Sequence, residues 1–504
     1  MKNRILLINP KVASRRGMRW PLSLLSLAAV LEGKYEYDLL DGNVDYSAPQ
    51  TALRYLHEHT VSAIGITVMP GPQVVTAIEI SRTIRAAHPS IPIIWGGYFP
   101  TLYSDAALNA DYVDYLVRGQ GEETLLELLA VLTAGQPDEG TLRHINGISF
   151  KTSAGPVHNP ERHFHAPTDY PDLPYERLSN PREYLRPSFM GRKTGAHQAA
   201  IGCRYRCTFC GVVSMFNGTT KFSAPARLAA TLTHLRDHYG MDALMYFDNN
   251  FFDLESNSVP MLDAMSQVPL PYWCFARADA LSKYSLSTWE LIRKSGLRMA
   301  YIGAESSNNE MLKKMRKGTT VEQTFEVAHR CREFGVIPEF SFILGSPDAP
   351  EDDIENTFAF IKKLKQIHPE CEVILYNYSI TPQRDPTWVK ADEARSWRPI
   401  LQKYGELDLP STPEEWTEPG WMNYVCHQDA PWLSEKTRQR IKDFSRVLYC
   451  RFPTVQDVRT PAWGKAILQN MARWRYRSNQ YSRPWELDLA KRLIPLHEPQ
   501  KEGV

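Results

Sequence analysis

The sequence predicts a three-part α/β protein: a doubly wound parallel sheet, a partial (β/α)6 barrel of TIM type, and a mostly helical C-terminal cap. Three observations predict it. Short apolar runs alternate with helical patterns over residues 1–135, and the runs close on Gly, Pro or Asn. A second strand–helix series of six units fills residues 196–382. From 383 to 504 that rhythm stops, and tryptophan and arginine accumulate. Residues 136–195, rich in proline, read as a connector.

In the first part, Ile5-Leu6-Leu7-Ile8 is a buried parallel strand closed by Asn9-Pro10. Pro21 opens a helix through Leu31. Strands follow at Tyr37–Asp41, Ala63–Val68, Ile91–Trp95 and Tyr112–Val117, with helical patterns at Thr51–His59, Val74–Ala87 and Glu122–Thr133. In the connector, Gly147–Phe150 and Pro156-Val157 read as a small hairpin. In the second part the strands are Ala199–Ile201, Ala243–Phe247, Tyr272–Phe275, Arg298–Ile302, Ile337–Leu344 and Glu372–Tyr378. Helices are expected between them at Ala226–Tyr239, Val259–Met265, Thr288–Ser295, Glu322–Phe334 and Asp352–Gln366. In the last part Arg438–Tyr449, Ala462–Arg475 and Trp485–Leu493 are amphipathic helices, expected to cap the barrel with Trp as core and Arg as surface. The rival reading of this Arg- and Trp-rich tail is a nucleic-acid contact.

Composition narrows the function classes. With 43% apolar and 23% charged residues the chain buries several cores and is not globally disordered. A net charge of +1 makes no electrostatic case for a nucleic-acid or anionic-membrane partner. Ile5–Ile8 is too short for a secretory core, and Leu22–Leu31 is too short for a membrane span. The expectation is a cytoplasmic protein, where a tight cysteine group reads as a metal site rather than a disulfide framework.

That group is Cys203-Arg204-Tyr205-Arg206-Cys207-Thr208-Phe209-Cys210. Three of the eight cysteines fall within eight residues, and the other five lie more than sixty positions away. A [4Fe–4S] cube takes four thiolates, so three local ones leave one iron open to a substrate or cofactor. Structural zinc needs a fourth Cys or His at short paired spacing. His197 forms no such pair, and Cys274 and Cys331 read as core thiols. Around this loop, polar residues collect at strand C-termini, the end where parallel barrels build active sites: Asp248, Asn249, Asn250, Arg277, Asp279, Glu305 and Ser306. The corresponding edge of the first part carries Asn9-Pro10, Met69-Pro70-Gly71, Gly96-Gly97 and Gly119-Gln120-Gly121. Together these let a flat, bulky ligand approach the backbone. No Gly-x-Gly-x-x-Gly follows the first strand, so a dinucleotide is not expected.

The Cys-x3-Cys-x2-Cys loop resembles the signature of the radical S-adenosylmethionine (SAM) superfamily. The resemblance implies that Cys203, Cys207 and Cys210 hold a [4Fe–4S] cluster whose open iron binds SAM. It implies reductive cleavage of SAM to a 5′-deoxyadenosyl radical, fed by an electron donor such as flavodoxin or ferredoxin. It places Phe209 near the adenine, with Asn250, Arg277 and Glu305 holding SAM. Asp248-Asn249-Asn250-Phe251 stands where the superfamily has Gly-Gly-Glu.

Residues 1–135 resemble the Rossmann-like cobalamin-binding domain joined to one radical SAM subgroup. Gly65–Met69, Trp95-Gly96-Gly97 and Val117-Arg118-Gly119-Gln120-Gly121-Glu122-Glu123 carry that likeness; Ala276–Asp279, Gly303–Ser306 and Phe342–Pro347 carry it downstream. The resemblance implies cobalamin contacts from Thr67, Val68, Met69, Gly96, Gly97, Gly119, Gly121 and Glu122. The loop Asn9–Ser14 has no histidine where many such domains place the cobalt ligand, so cobalamin is expected base-off without a His ligand. The activity implied is methyl transfer to an unactivated carbon of a small or medium-sized metabolite. Cyclisation, ring contraction or rearrangement with the same cofactors is the alternative. An RNA-modifying enzyme is a further reading, opposed by the neutral charge and by the absence of cysteine from residues 1–202. A non-catalytic metal-binding module is opposed by the open iron.

Overall fold

The computed structural model describes residues 4–14, 17–135, 137–346, 350–379, 409–430 and 432–498. Pro347, Trp388, Trp397 and the expected boundary at 382–383 lie outside the described residues.

The first sheet has seven strands: β1 (Arg4–Asn9), β2 (Glu36–Asp41), β3 (Val61–Thr67), β4 (Ile93–Gly96), β5 (Tyr115–Val117), β6 (Ile148–Thr152) and β7 (Gly155–His158), in the order β2-β1-β3-β4-β5-β6-β7. The first five run parallel. Alternate residues of each strand bury on opposite faces, so both faces need helices. Leu24, Ala28 and Leu31 pack with Leu125, Leu128 and Leu129 on one face. Ala52, Leu56, Val74, Ala77 and Ile84 cover the other. This is the doubly wound arrangement, whose crevice opens where the chain reverses between β1 and β3.

The hairpin read as part of the connector belongs to this sheet. β6 pairs antiparallel with β5, and β7 with β6. Its Ile148 and Phe150 are buried with Val117 and Leu142, which anchors β6 to the sheet's core while β7 stays half-buried at the edge. Two short helices, Tyr98–Leu102 and Ser104–Leu108, also follow β4, where no periodicity is long enough to announce them.

The second sheet is β8 (Thr194–His197), β11 (Ala243–Tyr246), β12 (Tyr272–Ala276), β13 (Leu297–Glu305), β14 (Ile337–Leu344) and β15 (Glu372–Asn377), all parallel and side by side in chain order. The first strand of this series is therefore Thr194–His197 rather than Ala199–Ile201. The stretch beyond it forms β9 (Ala200–Gly202), paired antiparallel with β10 (Thr220–Phe222). Gly202 makes that small ribbon possible: its φ is +74°, and a Cβ there would sit 2.2 Å from the Thr219 carbonyl oxygen. Tyr272, Cys274, Ala300, Ile302, Phe340 and Phe342 face the outer helices in one core. Alternate residues turn inward; of these Trp273, Met299 and Ser341 are buried, while Phe275, Tyr301 and Ile343, with Phe247 just past β11, are half-buried.

The C-terminal part corrects the expectation of a Trp-filled barrel cap. Trp416 packs on the first sheet's helices, against Phe99 and Tyr103, and Glu414 pairs with Arg82 at 2.8 Å. The helices Glu435–Arg451, Ala462–Ser478 and Trp485–Leu493 do lie on the barrel core through Phe444, Val447, Leu468, Ala472 and Leu487. Trp463, Trp474 and Trp485 point outward instead, at 63%, 65% and 68% exposure. Among the described residues no helix is long and apolar enough to cross a membrane.

Candidate active site

The cysteine loop leaves β9 at Gly202 and enters the short helix Gly211–Phe216. Cys207 is buried, Cys203 and Cys210 are half-buried, and none of the eight cysteines, all among the described residues, is in a disulfide. Burial pushes the Cys203 thiol up, and burial first, then the neighbouring Cys207 and Cys203, pushes Cys210 up to about 12. The three sulfurs are therefore within electrostatic reach of one another. In the metal-free chain these two thiols hold their protons, and ligation has to release them. Among the described residues no three His, Cys, Asp or Glu side chains converge on a single metal ion. His197 faces Tyr246, ring centroids 6.3 Å apart; burial lowers its pKa to about 4, and its Nδ1 has no partner. It is no fourth ligand in this geometry.

The loop is fastened on three sides. Thr208 N donates to the Met315 carbonyl at 2.9 Å. Arg204 pairs with buried Asp253 at 2.6 Å. Arg277 donates from Nη1 to Cys207 Sγ at 3.3 Å and from Nε to Asp279 Oδ1 at 2.9 Å, while its guanidinium lies 3.5 Å from the Tyr205 ring centroid. Burial lowers the Arg277 pKa, but Cys207 and then Asp279 outweigh it and the net shift is upward. A fixed cation beside a cluster sulfur is one of the levers a protein has on cluster potential.

The Asp248-Asn249-Asn250 turn after β11 divides its work. Asp248 accepts from Ala200 N, and Asn249 Oδ1 accepts from Gly202 N at 3.0 Å, so both hold the strand that feeds the cysteines. Asn250 is 2% exposed, and neither of its amide atoms has a partner. An unsatisfied buried amide is costly unless a ligand completes it, and an amino acid's ammonium and carboxylate match its acceptor and donor. The residues present thus fit SAM at Asn250. Glu305 ends β13 at φ +60° and pairs with Lys317 Nζ at 2.6 Å, with Ser341 Oγ 3.4 Å from its other oxygen. Lys317 is 6% exposed and carried no signal in sequence; it is the residue the motif reading missed. Gly303 makes room for the pair, because a Cβ there would lie 2.0 Å from Glu305 Oε1 and 2.5 Å from Lys317 Nζ. Phe209 packs with Met315 and Tyr378 on the barrel rim.

The first sheet presents its glycine-bearing edge to this site. Gly97 has φ +98°, and a Cβ would sit 3.1 Å from the Val68 carbonyl and 3.2 Å from Thr67 Oγ1. Val68 N donates to Gly96 O at 2.8 Å, and Gly119 N donates to Thr101 Oγ1 at 3.0 Å. Gly121 caps the helix that begins at Glu122, a half-buried carboxyl pushed up to about 7 by burial. Met69 is 37% exposed at the crevice. Its backbone N–H is held by Gln73, which also donates to Asn9 Oδ1 and the Pro10 carbonyl, each at 2.8 Å. The ends of β3 and β4 meet backbone to backbone here, and Thr67, Gly96 and Gly97 are half-buried beside exposed Met69, an edge with little side-chain bulk that fits a flat macrocycle. At the end of β1, Asn9 accepts from Gln73 of the helix Pro72–Ala87, and the loop that follows β1 carries no histidine. Tyr98, next to this ledge, accepts a 3.1 Å bond from Asn249 Nδ2 and so joins the two halves of the site. A cavity of about 270 Å3 lies elsewhere, between Asp114, Glu139 and Lys151, and holds none of these residues.

A family model for the B12 binding domain matches residues 10–129, and one for the radical SAM superfamily matches residues 199–361. An uncharacterized methyltransferase of Pyrococcus horikoshii is 22% identical over 345 residues, covering 68% of this chain and 73% of that protein. The anaerobic magnesium-protoporphyrin IX monomethyl ester cyclase of Synechocystis is 22% identical over 413 residues, covering 79% and 78%. Among solved structures, the cobalamin-dependent SAM radical enzyme OxsB, with aqua-cobalamin and SAM bound, superposes with a TM-score of 0.64 at 17% identity over 98% of this chain and 75% of that one. At that identity the likeness is one of fold.

Proposed function

We propose that this chain, which belongs to the radical SAM enzymes carrying a B12-binding domain, transfers a methyl group to an unactivated carbon of a small or medium-sized metabolite. The observation that carries the reading is the meeting of two ligand-ready surfaces. Three thiols and the unpartnered Asn250 amide lie on one side, and the Thr67–Gly97 ledge on the other, joined through Tyr98 and Asn249.

When bound, the cluster with SAM supplies a carbon-centred radical by reductive cleavage, and cobalamin supplies a transferable methyl group. The chain's residues then do the following. Cys203, Cys207 and Cys210 bind the cluster through three thiolates, and Arg277 holds the Cys207 sulfur in place. Asn250 meets the amino-acid end of SAM, and Phe209 offers an apolar wall for its adenine. Arg277 and Glu305, assigned to SAM by resemblance, act through Asp279 and Lys317 as the frame around it. Thr67, Met69, Gly96, Gly97, Gly119, Gly121 and Glu122 would border the corrin; Val68, fully buried with its N–H bonded to Gly96 and its carbonyl to Phe99, supports that edge from behind rather than touching the ligand. The half-buried inward residues Phe247, Phe275 and Tyr301 wall the space left for substrate and keep water from the reacting carbon. A soluble one-electron donor of flavodoxin or ferredoxin type completes the cycle.

Product analysis tests the reading. Methylation consumes two SAM per turnover and yields S-adenosylhomocysteine and 5′-deoxyadenosine together. Formation of 5′-deoxyadenosine without S-adenosylhomocysteine refutes methyl transfer and favours cyclisation or rearrangement, the course that the cyclase relative supports. The Asn9–Ser14 loop offers no histidine, so the residues present would hold cobalamin without an imidazole from that loop. An electron paramagnetic resonance spectrum of the cob(II)alamin form with histidine nitrogen splitting refutes that.

A further inference from the structure

We propose that the two C-terminal helices form a docking face for an anionic lipid surface. The helices Ala462–Ser478 and Trp485–Leu493 lie antiparallel. Arg475 Nη2 donates to Glu486 Oε2 at 2.9 Å at one end, and at the other a Cβ on Gly464 would meet Ile494 Cγ2 at 2.8 Å. Their inner sides are spent on the core through Leu468, Ala472, Tyr476 and Leu487. Their outer sides are apolar as well. Trp463, Ile467 and Trp474 follow helical spacing on the first helix, at 63%, 44% and 65% exposure. Trp485, Leu489 and Leu493 do the same on the second, at 68%, 54% and 82%. A surface helix of a soluble protein normally carries polar residues on the side away from the core, and an exposed apolar patch of this kind marks an interaction site.

Charge names the occupant. Between Ala462 and Leu493 stand Lys465, Arg473, Arg475, Arg477, Arg483, Lys491 and Arg492 against only Glu486 and Asp488. That is a local excess of five positive charges in a chain whose total is +1. Arg473, Arg477 and Arg492 are exposed beside the apolar stripes. Their crowding also shows at Arg451, whose pKa is lowered by burial first and then by Arg473 and Arg477. Exposed indoles with arginine at the margin are the composition of a helix that lies in a membrane interface: the rings seat at headgroup depth and the guanidinium groups pair with phosphates. A protein partner with an acidic groove or a second copy of the chain would need the stripes covered by apolar surface. The basic margin instead matches a sheet of anionic headgroups, to which each exposed cation adds attraction. The face contains none of the residues assigned to the cluster, SAM or cobalamin, so its role is to place the enzyme, not to perform the reaction.

The test is flotation of the full chain with vesicles of phosphatidylcholine alone and of phosphatidylcholine with about 30% phosphatidylglycerol. Binding is expected to the anionic vesicles, with a blue shift of tryptophan emission, and to weaken on raising NaCl to about 0.5 M. Trp474→Ala with Trp485→Ala is expected to reduce partitioning about tenfold, and Arg473→Glu with Arg477→Glu by at least as much. All four side chains are exposed, so the variants are expected to keep the wild-type unfolding midpoint and iron content. No binding to anionic vesicles at low salt overturns the proposal, as does undiminished binding by the tryptophan variant. A concentration-dependent dimer abolished by the same substitutions reassigns the face to self-association and overturns it too. Tight binding of single-stranded RNA that displaces the vesicles does so in favour of nucleic acid.

Discussion

The Tyr98 hydroxyl accepts a 3.1 Å hydrogen bond from the Asn249 side-chain amide, and Asn249 in turn accepts from Gly202 N at 3.0 Å. Tyr98 follows Gly97 on the proposed corrin ledge, and Gly202 precedes Cys203. Two side-chain bonds therefore span from one cofactor surface to the other. Burial pushes the Tyr98 phenol up, so it stays neutral and keeps this geometry across the working pH range. Tyr98→Phe removes one such bond, a loss of about 1 kcal/mol. Iron and cobalt contents are expected to hold. SAM cleavage to 5′-deoxyadenosine is expected to persist while methylated product falls at least about tenfold, because misplacement by an ångström is costly in transfer. An unchanged ratio of methylated product to 5′-deoxyadenosine contradicts this.

The Glu305–Lys317 pair is nearly dry, with Glu305 and Lys317 each 6% exposed. Lys317→Met leaves Glu305 buried beside Ser341 alone. Breaking one partner of such a pair costs about 3–5 kcal/mol. Denaturant unfolding is expected to show a loss of that order, with SAM affinity falling in parallel. A variant as stable as the parent shows that water already reaches the pair.

Asp248 is fully buried, its Oδ2 has no partner, and burial pushes its carboxyl up to about 7. Its native pKa lies above its unfolded value, so the native state binds more protons between roughly pH 4 and 7. Stability of the metal-free chain is therefore expected to fall as pH rises through that window, by about 2 kcal/mol or more by pH 8. Asp248→Asn keeps an acceptor for Ala200 N and is expected to flatten the slope. Glu122, also raised to about 7 but half-buried, contributes a smaller part. An equal slope in Asp248→Asn refutes the assignment.

The two ledge glycines are not equivalent. A Cβ on Gly96 would make ordinary contact, 3.5 Å from the Val117 carbonyl, whereas Gly97 combines φ +98° with a 3.1 Å approach to Val68 O. Gly96→Ala is expected to retain cobalt. Gly97→Ala is expected to lose cobalt and keep iron, at a stability loss of at least about 1 kcal/mol. Unaltered cobalt binding by Gly97→Ala refutes the placement of the corrin.

The features legible in the sequence were the local ones. Short apolar runs closed by Gly, Pro or Asn announce β1 to β5, helical patterns announce the longer helices between them, and the three-cysteine spacing announces the loop chemistry. Contacts between distant segments were not legible. Nothing near Lys317 in sequence marks it as the partner of Glu305, twelve residues earlier and on the far side of the helix Asn309–Lys314. Tyr98 sits in a five-residue helix too short to show a period, and its partner is 151 residues on. The 148–158 hairpin reads as a connector because its pairing with β5 is an edge contact that carries no composition signal. Trp463, Trp474 and Trp485 read as core because tryptophan usually is; the inner sides of their helices were already filled by Leu468, Ala472 and Leu487.

The most direct test of the central claim is elemental analysis of the chain purified without oxygen after cobalamin supply and cluster reconstitution. Two cofactors on facing surfaces predict about four iron, about four sulfide and about one cobalt per chain. Cys207→Ala is expected to lose the iron and sulfide, with SAM cleavage, while keeping cobalt. Iron without cobalt contradicts the paired-cofactor account, and stoichiometric zinc with neither contradicts it entirely.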